Sequence, residues 1–383
     1  MPWDETTRMS QRLRFISELE SCQYTMTELC ERYGISRKTG YKWAQRYVEA
    51  GPGGLEDRPH VARSLPHQVS AEKAERLVNL RRRFPRWGPR KLRAWLERHH
   101  REEVWPAAST IGDLLKRRGL VESRGSRRRP LPPRPPRVEA TSPNAVWSSD
   151  FKGQFRLGNA RLCYPLTISD GFSRYLLGCQ GLETTSGEAC KRVFEALFRE
   201  YGMPRAILTD NGSPFAAASS LARLSRLSVW WIRLGIRPVL IQPGHPEQNG
   251  RHERMHRTLK AETTRPPAAD APRQQKRFEQ FRRTYNEQRP HEALGQIPPA
   301  EVYEASPRAY PSRLPPCEYP GHFEVRSVGQ KGEICWRGET LFVSHALQGE
   351  RIGLEEVDEG RWAVYLGLVL IARFDEQERR LYG

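Results

Sequence analysis

The chain has 383 residues, 37% of them hydrophobic, and its formal net charge is +18. This length suits two to four domains, and the longest apolar run, residues 365–372, is too short to cross a membrane. Seven cysteines without a C-x-x-C pair, and an N-terminus without an apolar signal segment, indicate neither a disulfide framework nor structural zinc nor secretion, so we expect a reducing, cytoplasmic location.

The positive charge is concentrated toward the N-terminus. Residues 1–143 carry a net charge of +13, residues 144–319 carry +8, and residues 320–383 carry −3. A basic segment of this kind suits a polyanionic partner, with nucleic acid as the first expectation and an anionic membrane surface as the second. A basic surface that meets only solvent is the alternative.

Residues 8–58 predict a helix-turn-helix DNA-binding domain. Thr25 and Glu28 form a capping-box pattern that begins a helix, Gly34 gives a tight turn, and Ser36 can cap the next helix. A helical hairpin without DNA contact is the alternative. Five side chains of the second helix would face the major groove: Arg37, Lys38, Thr39, Tyr41 and Lys42.

Residues 69–122 predict a second helical unit. Pro89 begins its second helix, and Ser109 is placed to cap its third. This pattern indicates a divergent helix-turn-helix-like domain, with a packing module as the alternative. Residues 123–143 form a linker with six arginines and five prolines in fifteen residues, which favours extended backbone. The linker arginines would follow DNA phosphates: Arg127, Arg128 and Arg129.

From residue 144 the pattern changes to strands and helices in the order β-β-β-α-β-α-β-α, which predicts a mixed sheet covered by helices over residues 144–265. Thr185 and Glu188 form a capping pattern for the first of these helices. Residues 266–319 predict a helical extension. Residues 320–383 alternate short strands with glycine turns, which predicts a small β-barrel.

Three carboxylates fall at the ends of predicted core elements. Asp150 lies in the first strand, Asp210 follows the fourth strand, and Glu253 lies on the helix after the fifth. The first and fourth strands are neighbours in this order, so we expect the three side chains to converge. Such a cluster repels itself unless divalent cations bridge it, and its hard oxygen ligands suit Mg²⁺ or Mn²⁺. Two such ions would clamp the attacking and leaving oxygens of a phosphodiester.

Each carboxylate has a plainer interpretation when it is considered alone. Asp150 suits a strand edge, Asp210 a turn, and Glu253 a solvated helix surface. The segments around them, however, resemble a known family: "WSSDF", "LTDNGSPF" and "HPEQNGRHERMHRTLK" are similar to the signatures of the retroviral-type integrase core of bacterial insertion-sequence transposases. The resemblance covers residues 25–305 and implies a ribonuclease H-like core with Asp150, Asp210 and Glu253 as its metal-binding D, D, E triad.

The resemblance has one departure in spacing. Forty-two residues separate Asp210 from Glu253, more than in retroviral integrases, and the extra length falls around "AAASSLARLSRLSVWW". We therefore expect a longer loop and helix there. The His/Cys zinc domain of retroviral integrases is not found.

Other residues compete for the roles in this site. Glu247 is an alternative third carboxylate, and Asp170 fits a structural turn. The segment "HERMH", residues 252–256, also matches the H-E-x-x-H pattern of zinc metalloproteases. Its neighbours are cations that would repel zinc and attract phosphate, and we expect three of them to bind DNA: Arg254, Arg257 and Lys260.

The sequence thus predicts a DNA transposase. Its N-terminal helices would hold the terminal repeats of an element, and its core would expose a 3′-hydroxyl by hydrolysis and join it to target DNA. The resemblance implies at least a dimer on double-stranded DNA, located at the nucleoid and not at a membrane. A DNA-binding regulator with an inactive integrase-like core is the alternative.

Overall fold

The computed structural model describes residues 7–57, 69–121, 138–217 and 220–382. These residues fall into two compact units, Met1–Ser70 and Ala71–Gly383. Within the described ranges, no helix combines the length and the apolar character needed to cross a membrane. The predicted DNA contacts Arg127, Arg128 and Arg129 lie outside the described residues.

The first unit has the expected helix-turn-helix layout, and local sequence signals define its boundaries. Thr25 and Glu28 complete both hydrogen bonds of the capping box, and the Ser36 hydroxyl accepts from the Thr39 amide to begin the following helix. Gly34 has φ +62°, a conformation that glycine adopts without strain. The helices are α1 Arg8–Glu20, α2 Met26–Arg32 and α3 Arg37–Ala50.

Helices α2 and α3 of this unit pack closely. A Cβ atom at Gly40 would lie 2.6 Å from the Cys30 sulfur, so only glycine permits this approach. The buried side chains beneath the helices are Phe15, Ile16, Leu29, Cys30, Trp43 and Leu55. This small core leaves the outer side of α3 exposed.

The second unit begins with three helices, α4 Ala71–Arg83, α5 Pro89–His99 and α6 Ala108–Arg117. Pro89 is the first residue of its helix, as expected, but the expected cap at Ser109 is wrong. Ala107 is the N-cap residue, so Ser109 already lies inside the helix. The N-cap makes no side-chain hydrogen bond. These helices contact the rest of the unit through Arg90, which lies 2.9 Å from the Glu292 carboxylate.

The central sheet of the second unit is mixed, as the sequence predicted. Strand β1 pairs antiparallel with β3 and parallel with β5, and β5 pairs parallel with β6. The predicted first strand is interrupted at Gly153, where φ is +77°, so the short β2 follows β1. The strands are β1 Val146–Phe151, β2 Phe155–Arg156, β3 Leu162–Asp170, β4 Leu176–Leu182, β5 Ala206–Thr209 and β6 Arg237–Leu240.

Helices cover both faces of this sheet. Helices α7 Gly187–Tyr201 and α8 Arg226–Arg233 pack on one face, around Trp147, Phe194 and Trp231. Helices α9 Gly250–Thr263 and α10 Ala271–Arg283 pack on the other, around Leu259 and Phe278. The expected Thr185–Glu188 cap of α7 is wrong, because the Ser186 hydroxyl accepts from the Ala189 amide instead.

The outer edge of β4 is covered by side chains of the helical extension rather than by another strand. Asn286 exchanges two hydrogen bonds with the backbone of Leu176, one from its amide group and one to its oxygen. Gln275 bonds in the same way to the Cys179 carbonyl and the Gly181 amide. These bonds satisfy backbone groups of an edge strand and keep that edge from pairing with another chain.

The C-terminal segment is an antiparallel sheet, and the predicted barrel is not shown. Its strand path is β13-β12-β11-β10-β7, and the described ends of that path do not pair; β8 and β9 form a separate hairpin. The strands are β7 Glu324–Ser327, β8 Glu333–Trp336, β9 Glu339–Phe342, β10 Arg351–Asp358, β11 Arg361–Leu366, β12 Val369–Asp375 and β13 Arg380–Tyr382.

Helix α8 joins the central sheet to the C-terminal sheet. One side of the helix, including Trp230 and Trp231, packs into the core beside α7, while Val229 and Ile232 pack against the C-terminal sheet. Arg233 adds an ion pair with Glu350 at 2.5 Å. The extra sequence between Asp210 and Glu253 therefore forms the connection between the two sheets.

Candidate active site

The two aspartates lie on adjacent parallel strands. Ser148 of β1 pairs with Leu208 of β5, and Asp150 lies two residues beyond that pair while Asp210 directly follows β5. Side chains alternate along a strand, so Asp150 is on the same face of the sheet as Ser148, the face covered by α9. The strands predicted as first and fourth are β1 and β5 of the structure, and the prediction that they are neighbours is confirmed.

Hydrogen bonds dock α9 on that face of the sheet. Ser148 donates to the Asn249 side-chain oxygen at 2.8 Å, at the start of the helix. The Thr167 hydroxyl lies 2.6 Å from Nε2 of both His252 and His256. Because Thr167 is the residue paired with Asp150 across the strands, these bonds hold the helix directly over the aspartate.

The protonation of the two histidines follows from this arrangement. With the hydroxyl proton of Thr167 donated to the Asp150 carbonyl oxygen at 3.0 Å, both Nε2 atoms act as donors to Thr167, and His256 Nδ1 faces Asp150 Oδ2 at 3.6 Å. Burial lowers the pKa of His252 to about 3 and contributes most to the lowered pKa of His256. Both rings are therefore neutral at neutral pH.

The same helix turns Glu253 away from the sheet. His252, Met255, His256 and Leu259 recur at helical spacing and are buried, whereas Glu253 lies on the exposed side. Gln248 and Gln242 fix the connection before the helix with two hydrogen bonds. The Gln242 backbone amide donates to Gln248 Oε1, and Gln248 Nε2 donates to Gln242 Oε1.

The charge of Asp150 is destabilised where it stands. Burial, then the negative charge of Asp210 and, to a smaller extent, that of Glu253 together raise the pKa of its carboxyl group to about 7, against the Phe151 amide hydrogen bond and the charge of Lys152, which lower it. Asp210 and Glu253 thus both lie close enough to Asp150 to act on its charge. As they stand, no three His, Cys, Asp or Glu side chains among the described residues are arranged to hold a metal ion.

Gly212 keeps space around the Asp210 carboxylate. Its amide donates to Asp210 Oδ1 at 3.1 Å, and a Cβ atom at this position would lie 3.2 Å from Oδ2. The turn itself does not require a positive φ here, so the absence of a side chain serves the carboxylate more than the backbone. Asn211 secures the loop by donating to the Ile241 carbonyl oxygen at 2.8 Å.

The geometry contradicts the zinc-protease alternative. Both imidazoles of the HERMH segment point into the protein and bond to Thr167, while Glu253 between them faces the opposite side of the helix. A zinc site of that type needs both rings and an open coordination position on one surface. The two histidines are instead buried supports of the helix.

The competing carboxylates have other partners. Glu247 lies 2.8 Å from His245 Nδ1, in the turn before α9. Asp170 accepts hydrogen bonds from the amides of Asn144, Phe172 and Ser173 and from the Ser173 hydroxyl, which holds the turn after β3. The structural role expected for Asp170 is confirmed.

The predicted DNA contacts differ in how they are presented. Arg37, Lys38 and Tyr41 are exposed on α3, while the Lys42 amine lies 4.5 Å from the centre of the Trp43 ring. The Thr39 hydroxyl is 2.9 Å from that of Ser36 and belongs to the helix cap. The exposed side of α9 carries the other three predicted contacts among the described residues: Arg254, Arg257 and Lys260.

The sequence interpretation missed the groups that position the helix. Ser148 and Thr167 face α9 from two strands, and Gln248 and Asn249 lie at its start. In β3 their signal was present as polar residues at alternating positions, Thr167 and Ser169, whereas β1 has three consecutive polar residues, 148–150, and shows no alternation. Alternation alone does not reveal whether such a polar face meets water or a helix.

We expect Thr167→Val to loosen α9 without changing the volume of the site. The substitution removes the acceptor of two buried imidazole N–H groups, which costs about 2 kcal/mol. Urea denaturation of the full chain would show a lower midpoint than wild type. Thr258→Val, on the same helix, should change stability by less than about 0.5 kcal/mol. A Thr167→Val protein as stable as wild type would mean that apolar contacts alone hold the helix.

Known families match the chain along most of its length. The matches are Helix-turn-helix domain at residues 11–63, Homeodomain-like domain at 39–115, Integrase core domain at 140–246 and again at 234–299, and IS481 family transposase, C-terminal domain at 323–381. Two helix-turn-helix-type regions thus precede an integrase core, in the order expected from the sequence.

Relatives with similar sequences come from bacterial insertion elements. The IS476 uncharacterized 39.2 kDa protein of Xanthomonas euvesicatoria is 32% identical over 249 residues, which are 62% of this chain and 66%, just under two thirds, of the relative. The IS407 uncharacterized 31.7 kDa protein of Burkholderia multivorans (strain ATCC 17616 / 249) is 31% identical over 236 residues, which are 60% of this chain and 79% of the relative.

The solved structures are more distant. The HTLV-2 integrase catalytic core domain in complex with magnesium is 15% identical, with a TM-score of 0.35, and the match covers 43% of this chain and 100% of that one. A likeness at this level carries no argument about the site. The sequence relatives and the matched domains identify the family: the chain belongs to the bacterial insertion-sequence transposases with an integrase core domain.

Proposed function

We propose that the chain is a DNA transposase that cleaves the ends of its element and joins them to target DNA. The observation that carries the proposal is the convergence of three carboxylates from separate elements: Asp210 and Glu253 both lie close enough to the half-buried Asp150 to act on its charge. Asp210 comes from the neighbouring parallel strand, and Glu253 comes from a helix docked over the same face.

The donor set fits divalent cations. Asp150, Asp210 and Glu253 offer carboxylate oxygens, hard ligands of the kind that Mg²⁺ and Mn²⁺ prefer. One imidazole lies beside them, because His256 Nδ1 is 3.6 Å from Asp150 Oδ2. Carboxylates that repel one another gain stability when a cation lies between them. Such ions would supply the positive charge that activates a water or a 3′-hydroxyl and stabilises the departing oxygen.

The residues of the chain supply position and charge. Asp150 is fixed by the sheet, Asp210 by the turn with Gly212, and Glu253 by the hydrogen-bonded helix, so each carboxylate is held by a different element. In the joining step the 3′-oxygen of the element forms a bond to a target phosphorus, and the bond from that phosphorus to the target 3′-oxygen breaks. Exposed cations on α9 would bind the DNA backbone: Arg254, Arg257 and Lys260.

The remaining elements fit the binding of two DNA ends. We propose that α3 enters the major groove of the terminal repeat, with Arg37, Lys38 and Tyr41 on its exposed side. Two element ends must be joined in a coordinated way, so the working assembly is at least a dimer. Target DNA is the third nucleic-acid partner.

Substituting both lysines of α3 tests the binding role. We expect Lys38→Ala with Lys42→Ala to reduce the slope of log affinity against log salt by about two, because each lost phosphate contact reduces it by about 0.9. Gel shifts with a repeat-end duplex in EDTA measure this. Arg14→Ala removes one exposed charge on α1, outside the predicted contact helix, and should leave the slope unchanged. Equal slopes for wild type and the double variant would exclude α3 as the DNA-contacting helix.

A joining assay separates the transposase from the regulator. The inverted repeats are read from the DNA flanking the gene, and a labelled duplex with that end is incubated with protein, target DNA and Mg²⁺ or Mn²⁺. A transposase gives a nicked end and then a joined product. A protein that shifts the duplex but never cuts it with either metal would be the DNA-binding regulator.

A further inference from the structure

A small cationic cleft lies between the start of α9 and the turn after β3. Its volume is about 50 Å³, and two guanidinium groups meet at its rim: Arg174 and Arg251 both donate to the carbonyl oxygen of Gly171, the second at 3.4 Å. We call this the arginine cleft; its polar lining is Ser148, Ser169, Asp170, Arg174, Gln248, Asn249, Arg251, His252 and Tyr285.

The arginine cleft has two guanidinium groups and one carboxylate, Asp170, so positive charge is in excess. Among the described residues, no carboxylate lies within ion-pair distance of Arg174 or Arg251. Asp170 lines the cleft and attracts Arg174, but its two oxygens are occupied by the four donors that hold its own turn.

Arg174 is held in an unfavourable position for a cation. Its backbone has φ +65°, which non-glycine residues seldom adopt, and its side chain is half-buried. Burial, followed by the positive charge of Arg251, lowers the pKa of Arg174 to about 10. Two like charges close to one oxygen repel each other until an anion joins them, and guanidinium groups favour the paired oxygens of a phosphate.

We propose that the arginine cleft binds a backbone phosphate of the DNA strand whose end lies at the three carboxylates. The position along the fold supports a DNA phosphate over a free anion. Ser148 of the cleft is two residues before Asp150 on the same face of β1, about 6.6 Å along the strand. Arg251 and Glu253 are both exposed within the first turn of α9, about 3 Å apart along the helix axis, so a DNA strand that crosses the start of this helix can reach both. This inference rests on the proposed function.

Replacing single phosphates tests the assignment. The full chain is bound, in EDTA, to repeat-end duplexes in which one phosphate at a time near the cleaved 3′ end is an uncharged methylphosphonate. We expect wild type to lose affinity at one position, and Arg174→Gln and Arg251→Gln to be insensitive to that replacement. Each variant should also reduce the salt slope by about one. Because no metal is present, the result does not depend on whether the protein cuts DNA.

The matched control is an arginine far from the cleft. Arg161→Gln removes an equal charge near the start of β3, about 26 Å along the strand from Ser169, and should keep the wild-type profile. Wild-type profiles in both cleft variants, or no sensitive position in wild type, would overturn the proposal. Arg251 is exposed and makes one long hydrogen bond to Gly171, so its variant remains informative if Arg174→Gln fails to fold.

A free anion is the other possible ligand of the arginine cleft, and a second measurement distinguishes it from a DNA phosphate. Inorganic phosphate is added to wild type and to Arg174→Gln, and thermal unfolding is followed. Stabilisation of wild type alone, together with unchanged methylphosphonate profiles, would mean that the cleft holds free phosphate and would overturn the assignment to DNA. Loss of the profile in the variants, with no stabilisation by phosphate, supports it.

Discussion

Asp150→Asn, Asp210→Asn and Glu253→Gln are each expected to abolish cleavage and joining while repeat-end binding persists. Each change keeps side-chain size and removes one negative ligand. Loss of a group that merely orients a metal ligand costs about 10–100-fold in activity, so loss of a ligand itself should exceed about a hundredfold. The measurement is product formation from a labelled repeat-end duplex, beside a gel shift with the same duplex.

Glu247→Gln is the matched control for the third position. It removes an equal charge six residues earlier, in the turn where Glu247 contacts His245, and should leave joining intact. A Glu253→Gln protein that still joins ends would refute the triad. An inactive Glu247→Gln beside an active Glu253→Gln would assign the third carboxylate to the turn instead of the helix.

The same substitutions bear on stability without metal. The pKa of Asp150 is raised in the folded chain, so above that pKa its ionised form opposes folding, and this cost vanishes as pH falls and the group is protonated. We expect metal-free Asp150→Asn to unfold at or above the wild-type temperature at pH 8. Below pH 5 the advantage should shrink, since both proteins are then neutral at this position. A lower melting temperature at pH 8 would contradict the repulsion.

Metal removal is expected to stop the chemistry completely. EDTA should leave repeat-end binding in place and abolish cleavage and joining, because three uncompensated carboxylates repel the phosphodiester that must approach them. Mg²⁺ or Mn²⁺ should restore activity, and Zn²⁺ should not, since the three ligands are hard carboxylate oxygens. The assay is a titration of each metal chloride into EDTA-treated protein.

Two outcomes would count against the carboxylate site. Activity that persists after exhaustive chelation would mean that the carboxylates act without a cation. Restoration by Zn²⁺ but not by Mg²⁺ or Mn²⁺ would point to a softer ligand beside the carboxylates, such as His256, whose Nδ1 is 3.6 Å from Asp150 Oδ2.

The fold of the first unit follows closely from the sequence. The capping box at Thr25, the cap at Ser36 and the tight turn at Gly34 are all confirmed, because each depends on residues within three or four positions. The same local reasoning failed at Ser109 and at Thr185. The neighbouring Ser186 provides the cap in one case and the apolar Ala107 begins the helix in the other, so the local polar pattern alone did not define the helix start.

The neighbouring aspartates were also predictable. Strand order in a βαβ arrangement limits which strands lie side by side, so the order of the elements is enough to assign Asp150 and Asp210 to adjacent strands. For the C-terminal segment, the sequence predicted the strands but not how they assemble. Short strands separated by glycines specify antiparallel pairing but not closure, because closure depends on the register between the first and last strands.

The sequence by itself determined the helix-turn-helix layout, the strand order of the core, and three carboxylates at the ends of core elements. Only the tertiary structure decided which side of α9 faces the sheet, and with it that the HERMH histidines bond to Thr167 while Glu253 turns outward. It also decided the meeting of Arg174 and Arg251 at one carbonyl oxygen. Local signals act over one helical turn, whereas these contacts of α9 join residues 80 to 89 positions apart, whose pairing depends on the packing of the whole sheet.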